Sequence, residues 1–535
     1  MGHMTTTFPL IDRVSGWLLA RRWLILILLV AAVALGLRLQ GLDWDGGRFY
    51  HPDERSIYMR ADCMYLTLAD VPGAESCQND DFPRDTPGFP SLSTFFDKDA
   101  SPLNPHWFPL GTIIIYMLVA IRFALEPFMD QVRLQDLATI GRTLAALADT
   151  GSVVMIFFLG RRLYSPAVGL LAAVLTAFTV INIQVTHFYR PESFVVLLAL
   201  AAFWWMLNVL QRGRLRDHVG LGLVIGATFA FRGSSLPMLA PVGLTYLALF
   251  WRYVQLGKPA RSGIRELARP ALIAFFSSIA VFLLLQPYAL LDYQKYVGDL
   301  AWEAGIARTA GLVPYTVQYV GTPRYGVYEL QQTALWALGL PLGILAWGGL
   351  VATVVAALRR PALRDWLLLA WVLTLLVGIV PLFEVKFLRY VMPVLPVMVL
   401  LGSRWLVELY RECKRRSIVL QRLVGLLTIS LVLATVFYAL AFVGIYSRAH
   451  PGIQASAWMN EHAEPGAIVL TDNHWDEGFA GLHRFSVTQL PMYESDTLIK
   501  ASRVSNQLAA ADYVMSYSNR PWGSIARLPE RYPYS

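Results

Sequence analysis

A short polar run, Phe49-Tyr50-His51-Pro52-Asp53-Glu54-Arg55, follows the first membrane-length apolar stretch of the chain. Adjacent carboxylates beside a histidine can take a proton from a nucleophile or hold a cation. Charges where a helix leaves a bilayer are costly to keep, and chemistry at the membrane surface is one reason to keep them. A plainer reading is a solvated helix start, because Pro52 suits the first helical position and acids there favour the helix dipole. Three other polar runs interrupt apolar sequence: Arg190-Pro191-Glu192, Arg232 within the tight turn Phe229–Ser234, and Glu384-Val385-Lys386-Phe387-Leu388-Arg389-Tyr390. Arg232, Lys386 and Arg389, with Tyr390 beside them, could clamp a lipid-linked phosphate and offset its charge as it departs. Asp53, with Glu54 next to it, could accept the proton of an incoming hydroxyl or amine. Glu192 could orient that acceptor or, with Asp53, hold a divalent metal ion, to which His51 could add a nitrogen. For Lys386 and Arg389 the bland alternative is snorkelling to lipid headgroups.

The elements that must position these groups are membrane helices. The chain is 56% hydrophobic and 15% charged, with a mean hydropathy of +0.48. Soluble globular chains carry roughly 25% charged residues. Apolar runs of spanning length recur to about residue 446, which defines an all-α polytopic membrane protein. The formal net charge of +8 does not argue for nucleic acid, because the basic residues sit in short loops between apolar runs and report topology. These are Arg21-Arg22, Arg161-Arg162, Arg212/Arg214/Arg216, the group Arg252, Lys258, Arg261, Arg265 and Arg269, then Arg359/Arg360/Arg364, and Arg411 to Arg422. Holding them all on the cytoplasmic side gives about eleven spans, near 23–39, 140–160, 166–185, 193–210, 218–232, 235–252, 271–288, 333–357, 365–381, 391–410 and 423–446. That parity puts the N-terminus inside, the C-terminus outside, and every polar run named above at the outer face. A crossing by residues 107–125 would invert every later basic loop, so the less costly reading is that this apolar segment lies in the interface or re-enters.

Residues 1–19 read as a tag scar and cytoplasmic N-terminus, with a transmembrane domain over 20–446. Its outer loops are 40–138, carrying the acidic motif and interfacial helices, and 289–332, rich in tyrosine. Tyr315 and Tyr319 of the latter could line a substrate groove, although aromatics near a membrane boundary also serve as anchors. Residues 447–535 change composition and show strand-like runs at 467–470 and 513–515 beside a helix-like stretch at 453–461, the pattern of a small soluble α/β domain. Asp472, His474, Asp476 and Glu477 within it are explained equally well by a solvated loop. Of the three cysteines, Cys413 lies in a basic loop, whereas Cys63 and Cys77 share the first outer loop. A disulfide between these two would close a loop of about 15 residues and contribute ~3 kcal/mol; two free thiols are the alternative.

Three motifs in this order carry a resemblance. His51-Pro52-Asp53-Glu54, Arg190-Pro191-Glu192, and Lys386-Phe387-Leu388-Arg389-Tyr390-Val391-Met392-Pro393 together resemble the GT-C glycosyltransferases. The resemblance is to the group of protein O-mannosyltransferases and the lipid A aminoarabinose transferase (glycosyltransferase family 39 and relatives). The stretch His450-Pro451 through Ala455-Ser456-Ala457-Trp458 to Gly466-Ala467 is similar to the outer tail of prokaryotic members. The resemblance implies a polyprenyl-phosphate-sugar donor, inversion at the anomeric carbon, Asp53 as the leading catalytic carboxylate, and residence in a prokaryotic plasma membrane. Family members often carry Asp at the Glu192 position and Lys at that of Arg232, which bears on metal use and on the phosphate contact. A transporter or flippase of a lipid-linked anion is the principal alternative, yet it would place its charges near the midplane in repeated, broken helices. A non-catalytic scaffold is a third. The sugar and the acceptor (protein, lipid or glycan) stay open.

Overall fold

A computed structural model describes residues 9–71, 88–129, 132–257, 259–323, 325–472, 481–516 and 518–534. Cys77, Lys258, His474, Asp476, Glu477 and the first eight residues lie outside the described residues. Among those described, nine helices are long and apolar enough to cross a membrane, and a bent pair brings the number to ten. One more helix, Leu215–Phe231, has 17 residues and a length of about 25 Å, just short of the ~30 Å hydrocarbon core. These eleven correspond to the expected spans.

The bent pair is Pro166–Ala177 and Val180–Thr186, turned by 55° at Phe178-Thr179. A break frees carbonyls that the bilayer cannot satisfy. Arg38 supplies the donor: its Nη1 reaches Ala177 O at 3.0 Å and Ala34 O at 2.9 Å, while its Nε pairs with Asp149 at 2.6 Å. Asn182, beyond the break, donates to the same carboxylate at 2.6 Å. Elsewhere small residues set the helix approach. Gly222 and Gly226, four apart, allow Leu215–Phe231 to lie directly on the Ala260–Leu285 helix at Ala274 and Ser278, where a Cβ would collide with backbone.

Two expectations about helix limits change. Arg261, Arg265 and Arg269 are not loop residues; they occupy the first turns of the Ala260–Leu285 helix. Arg411, Lys414, Arg415 and Arg416 likewise belong to the end of the Leu395–Arg416 helix. The basic ends nevertheless gather at one end of the bundle. Arg404 binds Asp365 at 2.6 Å, Tyr164 donates to the same carboxylate at 3.0 Å, and Arg411 reaches Ser165 at 3.0 Å.

At the opposite end, two longer helices of the first loop pack together. Pro52–Ala69 packs its Ile57, Tyr58, Ala61, Met64 and Leu68 against Ile114, Ile115 and Leu118 of Ile113–Leu125. The second of these has 13 residues, about 20 Å of helix, too short to span, as parity required. Arg122 within it pairs with Asp62 and lies 4.0 Å over the Tyr65 ring, which explains how an arginine is tolerated in so apolar a segment. Cys63 is disulfide-bonded and Cys413 is free.

The tail from Pro451 forms a three-stranded parallel sheet in the order β2-β1-β3: β1 Ile468–Asp472, β2 Ser486–Leu490 and β3 Tyr513–Met515. Ile468 pairs with Ser486, and Val469 with Tyr513. Strand alternation sends Val469 to one apolar cluster, with Met459, Phe485 and Met515, and Leu470 to another, with Leu490, Ile525 and Tyr532. The second cluster also takes in Val317 of the second loop, so the tail is packed onto that loop. Arg531 donates to Gly311 O at 2.9 Å and Arg527 to Gln318 O at 3.2 Å. Gly311 has φ +81° and would meet the Arg531 guanidinium with any Cβ, so glycine is required there.

Candidate functional site

The start of the Pro52–Ala69 helix sorts the acidic pair. His51 is its N-cap, accepting from Glu54 N at 3.4 Å, and Pro52 occupies the first position. Consecutive helical residues point about 100° apart, so Asp53 and Glu54 face different surroundings. Glu54 turns inward and is fully buried. Arg142, in the third turn of the Leu134–Leu163 helix, grips both its oxygens at 2.9 and 2.8 Å, while Tyr58 OH and Tyr189 N also donate to it. The same guanidinium holds Asp45 at 3.1 and 2.8 Å. Asp45 in turn accepts from Phe49 N at 3.1 Å, fixing the left-handed turn at Phe49, where φ is +54°. Glu54 is therefore not a free catalytic carboxylate. It ties the first loop to the bundle.

Asp53 turns outward, with 36% of its side chain exposed, and pairs with Arg190. Arg190 also forks onto Glu192 through Nε at 3.1 Å and Nη2 at 2.9 Å. This bridging is possible because Arg190 and Glu192 flank Pro191 at the start of the Pro191–Gln211 helix. Arg232, at the C-terminal end of Leu215–Phe231, donates to Glu192 Oε1 at 2.8 Å. Arg389 completes the group, 3.9 Å from both Asp53 and Glu192, and lies 4.1 Å over the ring of Phe387. Residues separated by more than 300 positions thus form one cluster, with three guanidiniums set against two carboxylates. The Arg389 Nε atom is buried and has no hydrogen-bond partner among the described residues.

The other expected site residues divide. His51 borders the cluster, its ring tilted by 39° against that of Phe188 at 4.4 Å. Burial, then Arg190 and Arg389, push its pKa well below the usual histidine value. Tyr390 lies with Phe383 and Phe387, and Tyr315 and Tyr319 pack towards Phe387 from the second loop. Lys386 departs from expectation: its buried ammonium is held by Glu329 at 2.5 Å, and no contact joins it to Arg232 or Arg389 among the described residues. Lys386 precedes the short 3-10 turn Leu388–Tyr390 that carries Arg389, and the two side chains take different partners, which spacing could not reveal.

The expected metal pair has arginine neighbours. Asp53 and Glu192 are bridged by Arg190, with Arg232 and Arg389 alongside, so a divalent cation would stand among three guanidiniums. No group of three or more His, Cys, Asp or Glu side chains with the geometry for a metal occurs among the described residues. The donor set suits an anion.

Sequence reading missed Asp45, Arg142, Glu303 and Glu329. Arg142 carried a usable signal, being an arginine inside an apolar span. The other three sit in loops where acids are ordinary, and only the fold shows what they face.

An integral-membrane chain with these helices, a folded first loop and a packed α/β tail has a GT-C-like fold. Its residues 134–264 match the family model described as dolichyl-phosphate-mannose-protein mannosyltransferase. No curated protein sequence matches the chain. Among solved structures, it is similar to the archaeal oligosaccharyltransferase AglB from Archaeoglobus fulgidus in complex with an inhibitory peptide and a dolichol-phosphate. That likeness has 13% identity, covers 97% of this chain and 72% of the other, and has a TM-score of 0.58. The A. fulgidus oligosaccharyltransferase complexed with Zn and sulfate gives 15% identity, 92% and 67% coverage, and a TM-score of 0.52. ArnT from Cupriavidus metallidurans bound to undecaprenyl phosphate gives 14%, 93% and 90%, at a TM-score of 0.46, too loose a likeness to argue from.

Proposed function

We propose that this protein is a glycosyltransferase that moves a sugar from a polyprenyl-phosphate donor to an acceptor at the extracytoplasmic face of a prokaryotic plasma membrane. The observation that carries this reading is the buried Arg389 Nε, a charged donor without an acceptor, at the mouth of a cluster with one net positive charge. A sugar-phosphate-lipid is a phosphodiester with one negative charge, and its oxygens suit that donor. Arg232 and Arg389 then offset charge as the phosphate departs. Asp53, the partly exposed acid, takes the proton of the acceptor's hydroxyl or amine. The new bond forms to the anomeric carbon from the face opposite the phosphate, whose oxygen leaves with the electron pair. A groove of about 560 Å³ lined by Leu330, Trp347, Val351 and Leu376 would suit the isoprenoid chain. The family match over residues 134–264 and the dolichol-phosphate complex of AglB are consistent with this donor class. The clustering of basic ends opposite the site supports the orientation.

The test is release of polyprenyl phosphate by purified protein from a panel of polyprenyl-phosphate sugars, with membrane extract as acceptor. Asp53→Asn should lower release by about 10²-fold or more, and Arg389→Ala by about 10²-fold. Equal release from wild type and Asp53→Asn would remove Asp53 as the base. Uptake of intact donor across vesicles without release would support a flippase instead.

A further inference from the structure

The second outer loop contains a helix, Tyr293–Arg308, whose side towards the arginine cluster bears one carboxylate that the functional reading does not use. Residues 296, 300, 303 and 307 share one helical face. Two observations fix where that face looks. A Cβ placed on Gly233, next to Arg232, would lie 3.4 Å from the Tyr296 hydroxyl and 3.5 Å from Leu300. At the other end, Ala307 O accepts from the backbone N–H groups of Glu384 and Val385, both at 3.1 Å, in the segment that leads to Arg389. Glu303 lies between these anchors and is half-buried. It makes no hydrogen bond or ion pair among the described residues.

Its surroundings are those of a carbohydrate pocket. The positive charges acting on it are Arg232, Arg389 and Arg190, and Asp299, one turn earlier on its helix, adds to its own charge. Burial raises its pKa above the ordinary glutamate value in spite of those three arginines. Tyr315 and Tyr390 both feel its charge. These tyrosines belong to an aromatic wall in which Tyr315, Tyr319 and Tyr390 surround Phe387 at ring separations of 6.5, 5.3 and 5.7 Å. Aromatic faces pack on the C–H faces of a sugar ring, and an unengaged carboxylate can accept from two neighbouring hydroxyls at once. Glu192 cannot do this while arginines occupy both its oxygens, and Asp53, held by Arg190 at Oδ2 alone, is assigned to the acceptor.

We propose that Glu303, with the wall of Tyr315, Tyr319 and Tyr390, forms the donor-sugar subsite, accepting hydrogen bonds from hydroxyls of the sugar whose phosphate lies against Arg232 and Arg389. The assignment rests on the glycosyltransferase reading, and it makes Glu303 the residue that selects the sugar. The tail shapes the same pocket from a distance by holding Gly311 and Gln318.

Binding measurements on the purified full-length protein, with two probes, test the assignment without an acceptor. One probe is bare polyprenyl phosphate and the other is the polyprenyl-phosphate sugar that the wild type binds most tightly. Glu303→Gln should weaken the sugar-bearing probe at least ten-fold while moving bare polyprenyl phosphate less than two-fold. Glu303→Asp should recover part of the loss, and Tyr315→Ala should repeat the pattern. Equal weakening of both probes, or no weakening of either, would overturn the assignment. Wild-type protein that binds the two probes equally would overturn it as well. Wild-type discrimination with no turnover on any acceptor would sink the enzyme reading and leave the sugar subsite standing.

Discussion

Asp53 and Glu54 are neighbours in sequence and members of two different clusters. The Glu54 cluster is closed: Arg142, Asp45, Tyr58 and the Tyr189 amide saturate one another, and every charged group in it is fully buried. The Asp53 cluster is open: its acid is partly exposed, it has three arginines for two carboxylates, and the Arg389 Nε–H has no acceptor among the described residues. Both are built from Arg–carboxylate pairs, so residue type does not separate structure from function here. What separates them is whether the donors and acceptors balance. A balanced buried network fixes geometry, whereas an imbalance at a cleft asks for a ligand.

The strongest way to break this comparison is to remove the centre of the closed cluster. Arg142→Leu strands two buried acids, and loss of one partner of a buried pair costs about 3–5 kcal/mol. We expect a large fall in thermal midpoint in detergent, whereas Asp53→Asn shifts it little while removing turnover. A stable Arg142→Leu protein would mean that the closed cluster is not structural. The pair Lys386–Glu329 sharpens the comparison at the next level. Lys386→Met alone should destabilise by about 3 kcal/mol, and Lys386→Met with Glu329→Gln should recover most of it. If the single change left stability intact but weakened binding of bare polyprenyl phosphate, Lys386 would return to the phosphate site. The smallest effect concerns His51 between the clusters. Its native pKa is depressed by burial and by Arg190 and Arg389, while the unfolded value is about 6.5. Below that pH the unfolded chain binds a proton that the folded one refuses, so stability is complete above about pH 6.5 and declines as pH falls. His51→Asn, which keeps a capping side chain, should flatten that acid limb in a series of melting curves; an unchanged limb would assign it to other groups.

Much of the architecture was legible in the sequence because a bilayer imposes few solutions. Apolar length gave the spans, and the basic clusters gave a parity that agrees with the short length of Ile113–Leu125. Helix starts were less visible: Arg261, Arg265 and Arg269 read as a loop because charge at a helix end and charge in a loop look alike without the backbone. β2 was missed, since Ser486–Leu490 is a short, mostly exposed strand that lacks an apolar signature.

The candidate site divides in the same way. Sequence alone determined that Asp53, Arg190, Glu192, Arg232 and Arg389 would meet at one membrane face, since topology fixes the end of the bundle each one occupies. It could not determine which of two adjacent acids faces the cleft. That choice follows from a rotation of about 100° between successive helical residues, set by the cap at His51 and by an arginine 88 positions away. Nor could it turn Lys386 towards Glu329, or Glu303 towards the arginines, because both orientations depend on how a short turn and a loop helix pack against parts of the chain remote in sequence. Solvation energies write span positions into the composition, but side-chain partners arise only from three-dimensional packing.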